Sequence, residues 1–178
     1  MIFGIEKINQ MMELGQIVVT PFDQKKLNPN SIDLTLGDTV FESPAAEFDV
    51  KIKTEFIQKT IGESGFLLSP NQLYLAATAE WTKTVGAVPI IFGKSSLSRL
   101  GLSVHQTGGF GDNGFEGNWT LALACVKPIR IYAGMKICQL VYFGLDGGGK
   151  LYDSDKYQSS KGAVASKFYK EFENLKGD

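Results

Sequence analysis

One short stretch in the middle of the chain combines the groups that proteins use to bind phosphate. In order it carries Gly93, Lys94, Ser95, Ser96 and, after two further residues, Arg99. A helix that begins here offers free backbone N–H groups to an anion. The four-residue spacing places Ser95 and Arg99 on one helix face, where the guanidinium can bind a phosphate through two hydrogen bonds. The stretch predicts a polyphosphate-binding turn; an ordinary capped helix with surface cations is the alternative that these residues alone leave open.

A second stretch, residues 105–118, is rich in glycine and carries a carboxylate and an aromatic ring. Asp112 lies in its middle, and Phe115 follows three residues later. Glycines allow tight turns and let a ligand approach the main chain closely, so exposed backbone groups here could read a pyrimidine edge. The alternative is that Asp-Asn-Gly is a β-turn and that Asp112 serves the turn alone.

The elements that must position these residues are mainly strands. Short apolar or alternating runs, separated by turn residues, predict a mainly β fold, either a distorted β barrel or a jelly roll. The candidate strands are Ser31–Leu36, Gln72–Ala77, Val88–Phe92, Trp119–Val126, Ile129–Tyr132 and Ile137–Phe143.

Helices are expected in three places. The spacing of Ile5, Ile8 and Met11 predicts a short amphipathic helix before Gly15, and Lys94–Leu100 predicts a helical turn or two that ends at Gly101. Ala163–Asn174 has the composition and four-residue apolar spacing of a third helix. Residues 144–162 are rich in Gly, Asp and Ser and are expected to form a flexible lid over a ligand.

Composition limits the class of protein. The 178 residues suit one domain, and the net charge of -1 argues against a general nucleic-acid binder. Cys125 and Cys138 are expected to be buried strand thiols, and with one histidine they cannot complete a structural zinc site. No signal peptide or membrane span is expected, which predicts a cytoplasmic protein, or one in a host cytoplasm.

Both stretches resemble motifs of the dCTP deaminase/dUTPase superfamily, and the match is best to dCTP deaminases. The first is similar to the family pattern G-[KR]-S-S-x-x-R-x-G-[IL], which implies that Ser95 and Arg99 are catalytic and that Lys94 and Ser96 bind substrate. The second resembles H-x-T-A-G-x-I-D-x-G-[FYW]-x-G. There the resemblance implies that Asp112 binds the deoxyribose 3′-OH and positions a water, and that Phe115 excludes a 2′-OH.

Three glycines in the second motif bear on the kind of enzyme. Gly109 stands where deaminases that stop at dUTP often carry His and where those that continue to dUMP often carry Gly, which favours the bifunctional subgroup. Gly108, a candidate substrate-binding residue, replaces the usual Ala, and Gly111 replaces the usual Ile. Both replacements are expected to loosen the loop.

The tail strengthens the resemblance to deaminases. Residues 152–166 look like the deaminase segment K-Y-x-x-Q-x-G-A-V-A-S, which folds over the triphosphate in the family. Tyr152 and Lys156 are thereby expected to contact phosphate. Ser160 stands where the family has Gln, and Lys161 could compensate. A solvated linker before a helix is the alternative.

One position departs from the deaminase pattern in a way that affects the chemistry. The strand after the glycine-rich turn has Ala122 where the family has the Glu that shuttles protons during deamination. Alanine cannot move protons, and that role is typically worth about 10²–10⁴-fold in rate. An engineered substitution and natural divergence are both open.

The resemblance implies a homotrimer whose active sites lie between subunits, with Mg²⁺ held mainly by the triphosphate and no protein metal site. The expected reaction is dCTP to dUTP, continuing to dUMP and pyrophosphate, with deamination impaired by Ala122. Two alternatives remain: a pyrophosphatase for pyrimidine deoxynucleotides (dUTP, or dTTP as substrate or inhibitor) without deamination, and a non-catalytic nucleotide-binding trimer.

Overall fold

The computed structural model describes residues 1–105, 107–147 and 149–174, and these form a mainly β structure with three short helices. In chain order the elements are α1 (Ile5–Glu13), β1 (Ile17–Thr20), β2 (Leu27–Asn28), β3 (Ser31–Glu42), β4 (Ile57–Thr60), β5 (Phe66–Leu68), β6 (Tyr74–Thr84), β7 (Ala87–Gly93), α2 (Ser95–Ser98), β8 (Leu102–Val104), β9 (Glu116–Cys125), β10 (Ile129–Ile131), β11 (Lys136–Gly144) and α3 (Tyr169–Asn174).

Nine of the strands form one antiparallel sheet that curves into a nearly closed barrel. Its main path runs β7-β11-β3-β6-β9-β8, with β1 paired to β6 and with β2 and β4 paired to β3. Strands β5 and β10 pair separately. The predicted distorted β barrel is therefore confirmed.

Strand β9 shows how the sequence sets the two faces of the barrel wall. Its residues alternate between buried and half-buried along the whole strand, because successive side chains of a strand point to opposite faces. Trp119, Leu121 and Leu123 point into the core, where Leu121 and Leu123 are fully buried. The intervening residues, Asn118, Thr120 and Ala122, form the opposite face.

Several predicted boundaries need correction. Strand β3 continues to Glu42, well past the expected end at Leu36, and β6 begins at Tyr74 but continues to Thr84 rather than ending at Ala77. Both strands contain irregularities in register, which interrupt the apolar alternation that the prediction relied on.

The predicted helix at Ala163–Asn174 is wrong in its first half, because α3 begins only at Tyr169. The chain before it lies along β9, where the Val164 backbone N–H donates to Thr120 Oγ1 at 2.9 Å. The other two helices are confirmed, and α2 ends before Gly101, whose φ of +82° suits glycine.

The two cysteines are buried and free, Cys125 in β9 and Cys138 in β11, which confirms the prediction of buried strand thiols. Within the described residues, no helix is long and apolar enough to cross a membrane.

Candidate functional site

A cleft of about 360 Å³ lies between the glycine-rich loop, the half-buried face of β9 and the tail. It brings together five of the site residues predicted from the sequence. These are Gly108, Asp112, Phe115, Tyr152 and Ser160.

The glycine-rich loop is fastened to the edge of β7. Ile91 N–H donates to the Gly109 carbonyl at 2.7 Å, and Gly111 N–H donates to the Pro89 carbonyl at 2.8 Å. A Cβ at Gly109 would lie 2.5 Å from the Ile91 carbonyl oxygen, so this backbone path excludes any side chain there. The absence of a side chain at position 109 is thus a requirement of how the loop docks.

The expectation that Gly111 loosens the loop is wrong. Gly111 is buried, and a Cβ at this position would lie 2.4 Å from Trp119 Cη2 and 3.0 Å from Pro89 Cγ. The indole of Trp119 therefore fills the space of the missing side chain. Gly108 is constrained too, since its carbonyl lies 2.8 Å from Nε2 of His105.

The turn at Asp112 presents the carboxylate to the cleft. Phe115 N–H donates to the Asp112 carbonyl at 3.1 Å, and the Asn113 side chain accepts from Gly86 N–H at 2.8 Å, which anchors the turn to the β6–β7 connection. Asp112 is exposed, and within the described part of the chain no protein group donates to its carboxylate. The carboxylate is available to a ligand or a water.

Three aromatic rings connect the core to the tail through the cleft. The ring centroids of Trp119 and Phe115 are 5.2 Å apart, and those of Phe115 and Tyr152 are 6.2 Å apart, with tilted geometries that aromatic pairs favour. Phe115 therefore has a buried ring on one side and a tail ring on the other.

Ala122 lies beside the cleft on β9, is not among the described residues that line it, and contributes no functional group. It lies on the same face of β9 as Asn118 and Thr120, which line the cleft. The Asn118 amide is already engaged, because its Nδ2 donates to the carbonyls of Thr78 and Glu80 and its Oδ1 accepts from Gly162 N–H. Among the described lining residues, Asp112 is the only carboxylate.

His105 lines the cleft, and its contacts indicate a structural role that the sequence did not reveal. Its backbone N–H donates to the Ala122 carbonyl at 2.8 Å, Nδ1 of its ring faces the Ala122 N–H, and Nε2 faces the Gly108 carbonyl. Burial lowers the pKa of His105 despite its backbone hydrogen bonds to Gly108 and Thr120, which keeps the ring neutral near pH 7.

The tail is bound to β9 rather than separate from it. The Gln158 side chain accepts from Glu116 N–H and donates to the Gly114 carbonyl. Ser160 forms a parallel bridge to Gly117, and its hydroxyl donates to the Asn118 carbonyl at 2.9 Å. These contacts hold the tail across the cleft.

Lys156, predicted to contact phosphate, instead pairs with Glu171 of α3. The pair is largely exposed, and the hydrogen bond to Glu171 raises the pKa of Lys156. Such surface pairs contribute little, so the ammonium can exchange partners at small cost.

The predicted phosphate-binding turn lies away from this cleft within one chain. Ser95, Ser96 and Arg99 are exposed, and neither they nor Lys94 line the cleft. The fold brings the turn and Asp112 to different parts of the surface of one chain.

Lys94 is held by a buried carboxylate. Its ammonium lies 2.5 Å from Asp33 Oδ1, and Lys136 lies 3.0 Å from Asp33 Oδ2. Burial raises the pKa of Asp33, but the hydrogen bonds from the two lysines outweigh it, so the pKa is lowered overall. Asp33 thereby fixes the start of α2 to β3 and β11, a role that its sequence motif did not specify.

Comparison with known proteins identifies the family of the chain. The dCTP deaminase-like family model matches residues 2–145. A Clostridium botulinum (strain Alaska E43) protein named "dCTP deaminase, dUMP-forming" is 46% identical over 157 residues, which cover 88% of this chain and 91% of that protein. Proteins of the same name from Clostridium beijerinckii and Leptospira biflexa are 46% and 43% identical over 161 and 159 residues; each match covers 89% of this chain, and 92% and 91% of those proteins respectively.

Solved structures support the fold. The 2′-deoxycytidine 5′-triphosphate deaminase of Agrobacterium tumefaciens superposes with a TM-score of 0.64 at 19% identity, over 80% of this chain and about half (48%) of that longer chain. The EIAV dUTPase superposes with a TM-score of 0.50 at 16% identity, over 79% of this chain and 97% of that one. On the family match and the relatives above 40% identity, the chain belongs to the dCTP deaminase-like family.

Proposed function

We propose that the protein is an enzyme of pyrimidine deoxynucleotide metabolism that takes dCTP through dUTP to dUMP and pyrophosphate, with a slow deamination step. The observation that carries the proposal is the meeting of Asp112, Phe115 and Tyr152 in one cleft. The relatives' shared name, "dCTP deaminase, dUMP-forming", supports the same reaction.

In the step that releases pyrophosphate, Asp112 acts on water. Its carboxylate orients the water and takes its proton as the water oxygen attacks the α-phosphorus. The bond from the α-phosphorus to the α,β-bridging oxygen breaks, dUMP and pyrophosphate leave, and the carboxylate then releases the proton to solvent. The sugar lies on Phe115, where the ring leaves no room for a 2′-OH. Tyr152 and Lys156 contact the triphosphate from the tail, Ser160 fastens the tail to β9, and Gly108 leaves main-chain groups open to the base.

In the deamination step, water adds to C4 of cytosine and ammonia leaves, giving dUTP. The reaction needs a group that takes a proton from water and passes it to N3 and the leaving amine. Ala122 supplies none, and both ring nitrogens of His105 face backbone groups. This supports the second candidate function, a pyrophosphatase that accepts dUTP and related pyrimidine triphosphates without deaminating dCTP.

Mg²⁺ and a homotrimer complete the proposal. The Mg²⁺ would be carried by the triphosphate itself and would need few protein ligands. The Mg²⁺ would neutralise phosphate charge. Ser95, Ser96 and Arg99 would reach the cleft from a neighbouring subunit, because they lie outside it in their own chain.

One assay tests both candidates. The protein is incubated with dCTP, dUTP or dTTP and Mg²⁺, and ammonia and pyrophosphate are measured separately. Pyrophosphate from dUTP with slow ammonia from dCTP supports the first proposal, and pyrophosphate with no ammonia selects the second. Neither product, together with tight nucleotide binding, would reject both and leave a non-catalytic binding protein.

A further inference from the structure

We propose that Trp119 is a positioning residue that sets both the Asp112 loop and the Phe115 ring, and thereby the preference for deoxyribose over ribose nucleotides. The inference rests on the proposed function, because it concerns the same cleft. It assigns the preference to the packing of Trp119 on β9 against the glycine-rich loop, rather than to Phe115 alone.

The indole is well placed to act as a fixed reference. Trp119 is 6% exposed, and its Nε1–H donates to Thr82 Oγ1 at 2.9 Å, while Thr82 itself is 2% exposed. Its backbone N–H donates to Thr78 Oγ1 at 3.0 Å. A buried ring held at its nitrogen has little freedom to rotate, since the hydrogen bond would be lost without replacement.

The far edge of the same indole meets the loop at the residue before Asp112. An added Cβ on Gly111 would come within 2.4 Å of Trp119 Cη2, much closer than carbon atoms approach without displacement. The other side of Gly111 is closed by Pro89, whose carbonyl accepts from Gly111 N–H at 2.8 Å. Gly111 is therefore held between the indole and β7, which fixes where Asp112 begins.

The indole also packs against Phe115, with ring centroids 5.2 Å apart and ring planes inclined at 59°. Phe115 is half-buried and would shift towards the space vacated if the indole became smaller. Movement of the ring away from the cleft would open room beside the sugar at the 2′ position. One side chain thus determines the place of both the carboxylate and the ring.

The test is a double-mutant cycle at positions 111 and 119. Gly111→Ala alone is expected to lower kcat/KM for dUTP by at least about tenfold, because the new Cβ displaces the loop. Trp119→Phe alone removes the far edge of the indole and the bond to Thr82, and is expected to lower the dUTP-to-UTP ratio of kcat/KM by at least about fivefold. The double variant is expected to recover much of the dUTP activity lost in Gly111→Ala.

Matched controls separate positioning from general destabilisation. Gly62→Ala adds a Cβ that meets no atom within 4 Å, and Trp81→Phe changes the other, half-buried tryptophan. Both should retain wild-type rates and wild-type nucleotide preference. Thr82→Val removes the partner of Nε1, together with the longer hydrogen bond from Thr82 Oγ1 to the Gly117 carbonyl at 3.4 Å. It is expected to shift the preference in the same direction as Trp119→Phe, by a smaller factor.

The outcomes are distinct. Two results would overturn the inference and leave the proposed function intact. One is that the fold-losses in kcat/KM of the two single variants simply multiply in the double variant. The other is that the dUTP-to-UTP ratio of kcat/KM in Trp119→Phe stays within twofold of wild type. A wild-type protein that releases no pyrophosphate rejects the proposed function. The ratio is then measured as binding of hydrolysis-resistant α,β-imido dUTP and UTP by calorimetry, and an unchanged ratio there also overturns the inference.

Discussion

Two residues, Asp112 in the cleft and Ala122 beside it on β9, carry the chemical prediction made for this site. Asp112 is exposed to a ligand and receives no hydrogen bond from described protein groups, so its lone pairs are available to a water. Ala122 lies beside the cleft on β9, and under the proposed function its methyl group supplies no proton shuttle for deamination. On that proposal the site suits attack on phosphorus better than attack on the cytosine ring.

Replacing the carboxylate tests the first half of that statement. Asp112→Asn keeps the size of the side chain but removes most of its basicity, and is expected to lower kcat for pyrophosphate release from dUTP by at least about 100-fold. Nucleotide affinity should change little, as checked by calorimetry. Asp49→Asn, an exposed carboxamide replacement elsewhere, should retain full activity; a comparable loss there would point to a general effect of charge.

Restoring the missing group tests the second half. Ala122→Glu is expected to increase ammonia release from dCTP by about 10²–10⁴-fold, since it supplies a proton shuttle on β9 beside the cleft. Ala124→Glu places the same charge two residues further along the same face and should give no increase. Ammonia release by the unmodified protein as fast as by the Ala122→Glu variant would show that Ala122 is not disabling.

The sequence predicted five of the thirteen described residues that line the cleft, but not the contacts that hold them in place. Asp112, Phe115, Tyr152 and Ser160 carry recognisable chemistry in recognisable order, so they could be named in advance. Trp119 could not, because its partners Gly111 and Thr82 are distant in the chain or hidden by the fold. Apolar alternation indicates which face a residue occupies, and it contains no information about which distant side chain it meets.

At the level of elements, the tail lies along β9 and is hydrogen-bonded to it. The run after Ala163 has the composition of a helix, yet the helix starts only at Tyr169. Hydrogen bonds to β9 compete with local helix formation there and prevail, as tertiary context often overrides propensity. The part of the predicted lid that carries Gln158 and Ser160 is thus hydrogen-bonded to β9 and to the turn before it.

Weakening that attachment should weaken nucleotide binding. Gln158→Glu removes the donor to the Gly114 carbonyl and places a carboxylate beside it, so the tail should detach. We expect faster amide hydrogen exchange at residues 159–164 and an increase in KM for dUTP of about tenfold. Gln58→Glu on the exposed strand β4 is the control and should change neither quantity.

The start of α2 depends on a different element contact, the ion pairs of Asp33. Asp33→Asn should lower the free energy of unfolding at pH 7 by about 1–3 kcal/mol, because Lys94 and Lys136 lose their charged partner. Denaturant titration measures the loss. The exposed Asp155→Asn is the control and should be neutral.

The pH dependence of that loss has a definite sign. An unfolded aspartate titrates near about pH 3.9, and the pKa of Asp33 in the folded protein is lower. Its contribution is therefore fully present above about pH 4 and disappears as the pH falls through the folded value. The difference between wild type and Asp33→Asn should be constant near neutrality and shrink below pH 4; a difference that grows on acidification would contradict this.

Considered as a whole molecule, one chain carries the Asp112 cleft and the predicted phosphate-binding turn as two separate features. The barrel fixes the Asp112 cleft and the α2 turn on different parts of its surface, as expected if the complete site forms between subunits. The barrel itself was predictable from the many short strands. Its strand order was not, because neighbours such as β3 and β11 are brought together by contacts between distant segments.

Subunit mixing tests the shared site directly. Arg99→Ala and Asp112→Asn should each be inactive alone, and co-refolded mixtures should regain part of the activity on dUTP, because some interfaces combine one intact residue from each variant. Sedimentation should give a mass three times the 19.5 kDa of one chain. Mixtures that stay inactive although the variants co-assemble would mean that each chain builds its site alone.

The contact between Trp119 and Phe115 also gives the protein an optical signal of its own. One of its two tryptophans borders the cleft and the other, Trp81, does not. The fluorescence of Trp119 depends on the polarity and packing of its surroundings. Binding of a nucleotide against Phe115 is therefore expected to change the tryptophan fluorescence of the protein. Occupancy of the cleft can thus be followed in real time without any added label.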